Sequence, residues 1–172
     1  MFVCAEPWPY AARVIANTET DADVAVAAAL AGAVVVRALF GSVLARFDKS
    51  GGDFATTADL EAEKAVIGII RAARPADAVT GEESGRDDAG GAQRRWLVDP
   101  LCGTLNFAAG SMLAAVNVAL LAGPGITAAA SADPFSGEVF WTDGNRACVR
   151  SDGADTALAP TPGTKTCQTR RS

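Results

Sequence analysis

Acidic residues stand in two short segments of the sequence, each after an apolar run that is typical of a strand. Glu82 and Glu83 follow the run at residues 78–81, and Asp99 ends the run that begins at Trp96. A carboxylate at the point where a buried strand meets a loop can bind a hard cation such as Mg²⁺, because the strand fixes the backbone while the oxygens stay accessible. A magnesium site is one interpretation of these segments. Ordinary turn and surface chemistry is the other, and at this point both are open.

The segment after Asp99 has the residue types of a phosphate-binding loop. Pro100 restricts the turn, and Gly103 allows the backbone to approach a ligand closely. A short helix is expected from Thr104 onward, and the free N–H groups at the start of a helix can bind phosphate. The same residues are also common in turns that bind nothing.

The composition excludes several kinds of chemistry. The chain has 172 residues and no histidine, so His-containing triads, imidazole bases and His-ligated zinc are excluded. Its four cysteines are scattered without a C-x-x-C pair, which argues against a zinc site or a dense disulfide framework and favours the cytoplasm. The net charge of −5 gives no basic surface, so nucleic acid is not expected as a partner.

Two long helices are predicted in the first half of the chain. The alanine-rich, proline-free stretch at 20–47 predicts the first, which is apolar on nearly all sides and therefore expected to be buried. Its uncharged part, 24–36, is shorter than the ~18 residues that a membrane span needs, so no membrane association is expected. Thr56-Thr57-Ala58-Asp59 predicts a capping box at the start of the second helix, which ends before Pro75.

Beyond Pro75 the hydrophobic pattern changes to short runs that are typical of strands. The runs are residues 78–81, 96–99, 115–121, 126–132, 138–142 and 146–150. The order of elements predicts an α+β fold, with two long N-terminal helices packed on a mostly antiparallel sheet.

The domain boundaries are predicted from changes in composition. Residues 1–20 are expected to form an N-terminal extension, 21–150 the α+β domain, and 151–172 a disordered tail that lacks an apolar period. Residues 86–93 are expected to form a surface loop.

Taken together, the motifs resemble those of the inositol monophosphatase family. The members of that family are Mg²⁺-dependent, lithium-sensitive sugar-phosphate phosphatases. Four segments resemble family motifs in the same order: Asp53-x-x-Thr56-x-x-Asp59-x-x-x-Glu63, Gly81-Glu82-Glu83-Ser84, Trp96 to Phe107, and Ala132-Asp133-Pro134 through Gly137-Glu138. The third resembles the highly specific signature W-I-x-D-P-x-D-G-T-x-N-F. The resemblance covers residues 22–150 and implies the N-terminal half of the layered α/β/α/β/α fold of that family.

The resemblance implies a Mg²⁺ site. Its ligands would be the carboxylates of Glu82 and Asp99 and the backbone carbonyl of Leu101. Lys49, just ahead of the first motif, would face the substrate or a further metal ion.

The resemblance also implies a catalytic set made of Asp59, Thr104 and Glu82. The Thr104 hydroxyl, paired with the Asp59 carboxylate, would orient and deprotonate the attacking water. The N–H groups of Gly103 and Thr104 would bind phosphate.

The sequence departs from the family pattern at Cys102, which stands where the signature has its second aspartate, a ligand of the second metal ion. A thiol is soft and usually protonated, which makes it a poor ligand for Mg²⁺. It is also not expected to be a nucleophile. Thiol phosphatases need an arginine a few residues after the cysteine, and residues 103–108 contain none. The family's later W-D-x-A-A-G segment, which supplies another metal ligand, does not occur in this sequence. One weakly bound Mg²⁺ is therefore expected, with the second site degenerate.

The resemblance implies a Mg²⁺-dependent phosphomonoesterase acting on a small sugar or cyclitol phosphate, with activity impaired in a truncated chain. The alternative is a non-catalytic remnant or interaction module that keeps the fold and binds phosphate or a single metal ion. The expected partners are the phosphorylated substrate and, as is common in the family, a second copy of the chain in a homodimer.

Overall fold

The computed structural model describes residues 8–49, 54–86 and 93–159. The helices are α1 (Ala11–Ile15), α2 (Asp21–Leu39), α3 (Thr57–Ala73) and α4 (Thr104–Ala108). A small two-stranded sheet contains β1 (Arg46–Asp48) and β2 (Phe54–Thr56). The strands of the large sheet are β3 (Ala78–Gly81), β4 (Gly85–Arg86), β5 (Arg94–Cys102), β6 (Ala115–Ala122), β7 (Gly125–Ala132), β8 (Val139–Thr142), β9 (Ala147–Ser151) and β10 (Ala154–Leu158).

The large sheet has the strand order β10-β9-β8-β7-β6-β5-β3-β4. Adjacent strands of this sheet run antiparallel, except β3 and β5. These two are parallel and therefore end at the same edge of the sheet. The predicted α+β class, with helices on a mostly antiparallel sheet, is confirmed. The predicted strand runs coincide with β3 and with β5 to β9, to within a few residues at their ends.

Both long helices begin with a capping box. Thr20 and Asp23 exchange hydrogen bonds between side chain and backbone at the start of α2, and Thr56 and Asp59 do so at the start of α3. Each box provides partners for N–H groups that the first turn of a helix leaves unpaired. The box at Thr56 confirms the predicted start of the second helix.

The two long helices pack side by side on one face of the large sheet, α2 over β6 to β8 and α3 over β5. They come close to each other at Gly32, where an added Cβ would lie 2.8 Å from Val66 of α3 and 2.9 Å from Val116 of β6. The core between helices and sheet is filled by apolar residues, of which the largest fully buried are Trp96, Leu30, Ile70, Leu101 and Leu120.

The first long helix is shorter than the predicted stretch at 20–47. It ends at Leu39, because Phe40 adopts an extended backbone and packs its ring edge-on against Phe107 and Phe135. Gly41 follows with a positive φ of 74° that favours glycine. By length and composition alone α2 could cross a membrane, but most of it is buried inside the protein, as the sequence predicts.

The prediction of a disordered tail from residue 151 onward is wrong at its start, since β10 pairs with β9 across its whole length. Asp155 on β10 accepts hydrogen bonds from Arg150 at 2.7 and 2.8 Å and from the Trp141 indole N–H at 3.1 Å. The pairing with β9 and these side-chain bonds, rather than an apolar period, fix the strand. Residues 160–172, and residues 87–92 of the predicted loop, lie outside the described residues.

The predicted N-terminal extension contains α1, which is part of the core. Ala11 and Val14 are buried, and the Tyr10 hydroxyl donates a hydrogen bond to the Gly137 carbonyl in the β7–β8 connection. The described residues before 21 are therefore packed onto the domain.

Candidate active site

Asp59 is the residue at which α3 meets the loop after β5. One of its carboxylate oxygens, Oδ2, accepts hydrogen bonds from the Thr56 N–H at 2.7 Å and the Thr56 hydroxyl at 2.6 Å. The other, Oδ1, accepts one from the Thr104 hydroxyl at 2.9 Å. The structure thus brings together the predicted Asp59 and Thr104, and the capping box holds the carboxylate in place.

The Thr104 hydroxyl has a second acceptor, the Leu101 carbonyl, at 3.0 Å. A hydroxyl has a single proton, so Thr104 donates to Asp59 or to Leu101 at any moment. Because both neighbours are acceptors, the lone pairs of the Thr104 oxygen remain available to accept a hydrogen bond from a third group.

The carboxylates of Glu82 and Asp99 converge at the shared edge of β3 and β5. Gly81 pairs with Val98 in the parallel register, and the Glu82 N–H donates to the Val98 carbonyl at 3.1 Å, which brings Glu82 beside Asp99. Burial raises the pKa of Glu82, and the negative charge of Asp99 raises it further, against the opposing effect of Lys49. Two acidic side chains are therefore held close enough to repel each other.

Asp99 has an oxygen without a partner. Its Oδ2 accepts a hydrogen bond at 3.3 Å from Asn117, the residue directly opposite on β6, whereas its Oδ1 is buried with no hydrogen-bond partner among the described residues. A buried carboxylate oxygen left unpaired costs free energy. A hard cation bound between Asp99 and Glu82 would remove both this cost and the mutual repulsion, so the residues present fit Mg²⁺.

Lys49 pairs with the two glutamates. Its Nζ lies 3.3 Å from Glu82 Oε1 and 2.6 Å from Glu83 Oε1. Burial lowers the pKa of Lys49, but the hydrogen bonds and charges of Glu83 and Glu82 outweigh it, so the net pKa is raised. Lys49 is thus a charged neighbour of the candidate cation site. Asp53, the first residue of that motif, lies outside the described residues.

The predicted phosphate loop has the expected backbone shape. Gly103 has a φ of 96°, and an added Cβ would lie 2.6 Å from the Leu113 carbonyl oxygen, so glycine is required on both counts. The short helix α4 begins at Thr104, as predicted. The N–H groups of Gly103 and Thr104 therefore belong to the start of this helix.

Cys102 lies at the end of β5, and the residue as a whole is exposed. Partial removal of its thiol from water raises the thiol pKa, and the charge of the nearby Asp99 raises it further. The thiol is therefore kept protonated, which disfavours both metal binding and nucleophilic attack. Within the part of the chain that the structure describes, no three Asp, Glu or Cys side chains are grouped as a metal site. Glu82 and Asp99 are therefore a pair of side-chain ligands, and further ligands would come from the backbone or from water.

Two residues that contribute to the site were not predicted as site residues from the sequence. Asn117 holds Asp99, and the signal for it is the antiparallel pairing of the two strands. Glu63 accepts hydrogen bonds from the backbone of the turn that carries Glu82, and the signal for it is its place four residues after Asp59 on α3.

The site opens onto a cavity of about 590 Å³ on the sheet face that points away from α2 and α3. Glu82 and Asp99 are the acidic residues in its lining, and most of the remainder is apolar, including Leu97 and Phe140. Leu97 is 37% and Phe140 46% exposed. This face of the sheet is therefore accessible, whereas the opposite face is covered by the helices.

Known proteins resemble this chain in sequence. The model of the inositol monophosphatase family matches residues 17–170. A protein of Streptomyces griseus named glucose-1-phosphate thymidylyltransferase is 35% identical over 147 residues, which cover 84% of this chain and 54% of that protein. An inositol-1-monophosphatase of Caulobacter vibrioides is 38% identical over 96 residues, which cover 55% of this chain and 38% of that protein.

Solved structures give the same result. The crystal structure of the extragenic suppressor protein suhB from Bartonella henselae superposes with a TM-score of 0.71 at 31% identity, over 74% of this chain and 51% of that one. The chain spans about half the length of such relatives, with 54% of the Streptomyces protein and 51% of the Bartonella protein covered.

Proposed function

Because this chain belongs to the inositol monophosphatase family, we propose that it forms the cation-binding and water-activating part of a Mg²⁺-dependent phosphomonoesterase. The single observation that supports this best is the buried, unpaired Oδ1 of Asp99 beside the carboxylate of Glu82. Such an arrangement is unfavourable by itself and becomes favourable when a cation is bound.

Glu82, Asp99 and the Leu101 carbonyl would hold one Mg²⁺. When bound, Mg²⁺ lowers the pKa of water and stabilises negative charge on a phosphoryl group. Cys102 carries a soft thiol where a hard oxygen ligand is expected, which supports one weakly binding site.

The Thr104 hydroxyl and the Asp59 carboxylate would orient the attacking water and remove its proton. Thr104 donates its own proton to Asp59, so its oxygen can accept a hydrogen bond from water and orient it toward phosphorus. Water would attack phosphorus in line and pass a proton through the Thr104 hydroxyl to Asp59. The bond from phosphorus to the ester oxygen would break, the departing oxygen would take a proton from solvent water, and Asp59 would return its proton to solvent. The N–H groups of Gly103 and Thr104 would hold the phosphate oxygens during this displacement.

The proposed substrate is a small sugar or cyclitol phosphate. The name of the Caulobacter relative, inositol-1-monophosphatase, supports a cyclitol phosphate. The name of the Streptomyces relative contains glucose 1-phosphate, which supports a sugar phosphate as the ligand. The net charge of −5 is in keeping with a small-molecule substrate rather than nucleic acid. We also propose a cytoplasmic location and a homodimer as the assembly.

Phosphate release tests the proposal. The wild-type chain with Mg²⁺ and inositol 1-phosphate should release phosphate, and Glu82→Gln, which removes one of the two charges facing the cation, should not. Glu61→Gln is the matched control, because Glu61 is exposed on α3 and pairs with Lys64. If wild type releases no more phosphate than Glu82→Gln, catalysis by this chain is rejected.

A second candidate function is a protein that binds phosphate or one cation without turnover. Cys102 favours it, because the thiol stands where a second carboxylate ligand is expected. Mg²⁺ binding by calorimetry without phosphate release would support this candidate over the enzyme.

A further inference from the structure

The carboxylate of Glu63 is buried beneath the turn that carries Glu82. The residue lies on α3 and is 3% exposed. Its Oε2 accepts a hydrogen bond from the Glu83 N–H at 2.8 Å, and its Oε1 accepts one from the Ser84 N–H at 2.8 Å. Hydrogen bonds from N–H groups to a carboxylate are about twice as strong as those between neutral groups. Glu63 therefore holds this turn by both of its oxygens.

Gly81 provides the space that Glu63 occupies. A Cβ built at Gly81 would lie 2.5 to 2.7 Å from the three carboxylate atoms of Glu63. Contacts this short are not tolerated, so a side chain at Gly81 would displace the carboxylate. The order Gly81-Glu82-Glu83-Ser84 thus has a physical reason: glycine admits the carboxylate, and the next residues donate to it.

Asp59 and Glu63 are four residues apart on α3, and residues at this spacing share one face of a helix. Asp59 holds the Thr104 hydroxyl, and Glu63 holds the turn that carries Glu82. A single rigid helix thereby sets the positions of both parts of the site.

We propose that Glu63 is a positioning residue, which fixes residues 81–84 so that Glu82 faces Asp99 and a cation between them. The cation part rests on the proposed function, whereas the fixing of the turn does not. Without the two hydrogen bonds from the Glu83 and Ser84 N–H groups to Glu63, the turn is free to move. Glu82 then no longer keeps its place beside Asp99, so loss of Glu63 weakens cation binding.

The test compares Glu63→Gln with Glu61→Gln. Glutamine keeps the volume of Glu63, but its amide nitrogen faces a backbone N–H, so one of the two hydrogen bonds is lost. Glu61 lies on the same helix and pairs with Lys64, so its replacement removes the same charge without touching the turn. Mg²⁺ affinity is measured by calorimetry, and protection of the Glu83 and Ser84 amides by hydrogen exchange.

Glu63→Gln should bind Mg²⁺ about tenfold more weakly or worse, as is typical when groups that orient metal ligands are changed. Exchange protection at the two amides should fall by a similar factor, while Glu61→Gln behaves as wild type. Wild-type Mg²⁺ affinity in a folded Glu63→Gln chain would overturn the inference and leave the proposed function intact. If the wild-type chain binds no Mg²⁺, the proposed function and the cation part fail together, and amide protection still decides whether Glu63 holds the turn.

Two further measurements do not need Glu63→Gln to fold. In the wild-type chain the Glu83 and Ser84 amides should exchange slowly, and rapid exchange would refute the role of Glu63. Gly81→Ala should weaken Mg²⁺ binding, whereas Gly68→Ala on α3 should not, because a Cβ at Gly68 meets nothing within 4 Å. Unchanged affinity in a folded Gly81→Ala chain would likewise overturn the inference.

Discussion

Replacement of Asp59 by asparagine separates a catalytic role from a structural one, because the chain contains a second capping box for comparison. Asp23 at the start of α2 accepts hydrogen bonds from the Thr20 N–H at 3.1 Å and the Thr20 hydroxyl at 2.6 Å. Asp59 makes the same two bonds to Thr56 through Oδ2. Each aspartate also accepts a third bond through Oδ1, Asp59 from the Thr104 hydroxyl and Asp23 from the Asn17 side chain. Asp23→Asn is therefore a matched control that perturbs a cap and nothing at the site.

The expected magnitudes follow from these bonds. Asparagine can keep its oxygen toward Thr56, but its NH₂ group then faces Thr104, which must accept and can no longer donate to residue 59. Hydrogen bonds to a charged group contribute about 1.5–3 kcal/mol and neutral ones about 0.5–1.5 kcal/mol, so Asp59→Asn should cost about 1–3 kcal/mol of unfolding free energy. Asp23→Asn should cost about 0.5–1 kcal/mol, since its box is exposed.

The two variants should differ far more in activity than in stability. Asparagine removes the carboxylate that would receive the proton passed on by Thr104, and proton transfer of this kind contributes about 10²- to 10⁴-fold. Urea unfolding followed by tryptophan fluorescence gives the stabilities, and phosphate release with Mg²⁺ gives the activities. The reasoning is refuted if folded Asp59→Asn keeps wild-type activity, or if Asp23→Asn loses as much activity as Asp59→Asn.

Three further changes give specific outcomes. Cys102→Asp should strengthen Mg²⁺ binding measured by calorimetry, since it adds a hard oxygen ligand beside Asp99; unchanged affinity would mean that this side chain faces away from the cation. The hydrogen bond from Arg150 lowers the pKa of Asp155, so the pair stabilises the fold above the ordinary range of aspartate pKa values and this contribution is lost as the pH falls through the lowered value. Asp155→Asn should therefore flatten the acid limb of stability measured by urea unfolding, and an unchanged limb would contradict this. Gly103→Ala should lower the unfolding free energy by about 1–3 kcal/mol in thermal melts because of its positive φ, and a wild-type melt would contradict the strain.

Elements with a strong local pattern could be predicted from the sequence. The capping box at Thr56, the stop before Pro75 and the strand runs each depend on a few neighbouring residues, and the structure has them. The end of α2 could not be predicted, because Phe40 is placed by ring contacts with Phe107 and Phe135, far away in the chain. The strand β10 was missed for the same reason, since pairing with β9 and the ion pair of Asp155 hold it.

The site shows the same division. That Glu82 and Asp99 follow apolar strands can be read locally, but their convergence depends on the parallel pairing of β3 with β5. The contact of Asp59 with Thr104 joins residues from different elements, and it was predicted from the family resemblance rather than from spacing. Glu63 stands in the first motif, but no role was assigned to it, because its partners are backbone N–H groups of a turn that lies far from it in the sequence.

The alanine-rich helix α2 determines which changes the core can absorb. Its buried positions are largely alanines, and Gly32 brings it within contact of Val66 and Val116. Alanine gives up no rotamer freedom when it is buried, so docking this helix costs little side-chain entropy. At these alanine positions and at Gly32 there is little side chain to remove, and a larger residue would push the helix away from its neighbours. There, substitutions that add volume will be more harmful than substitutions that remove it.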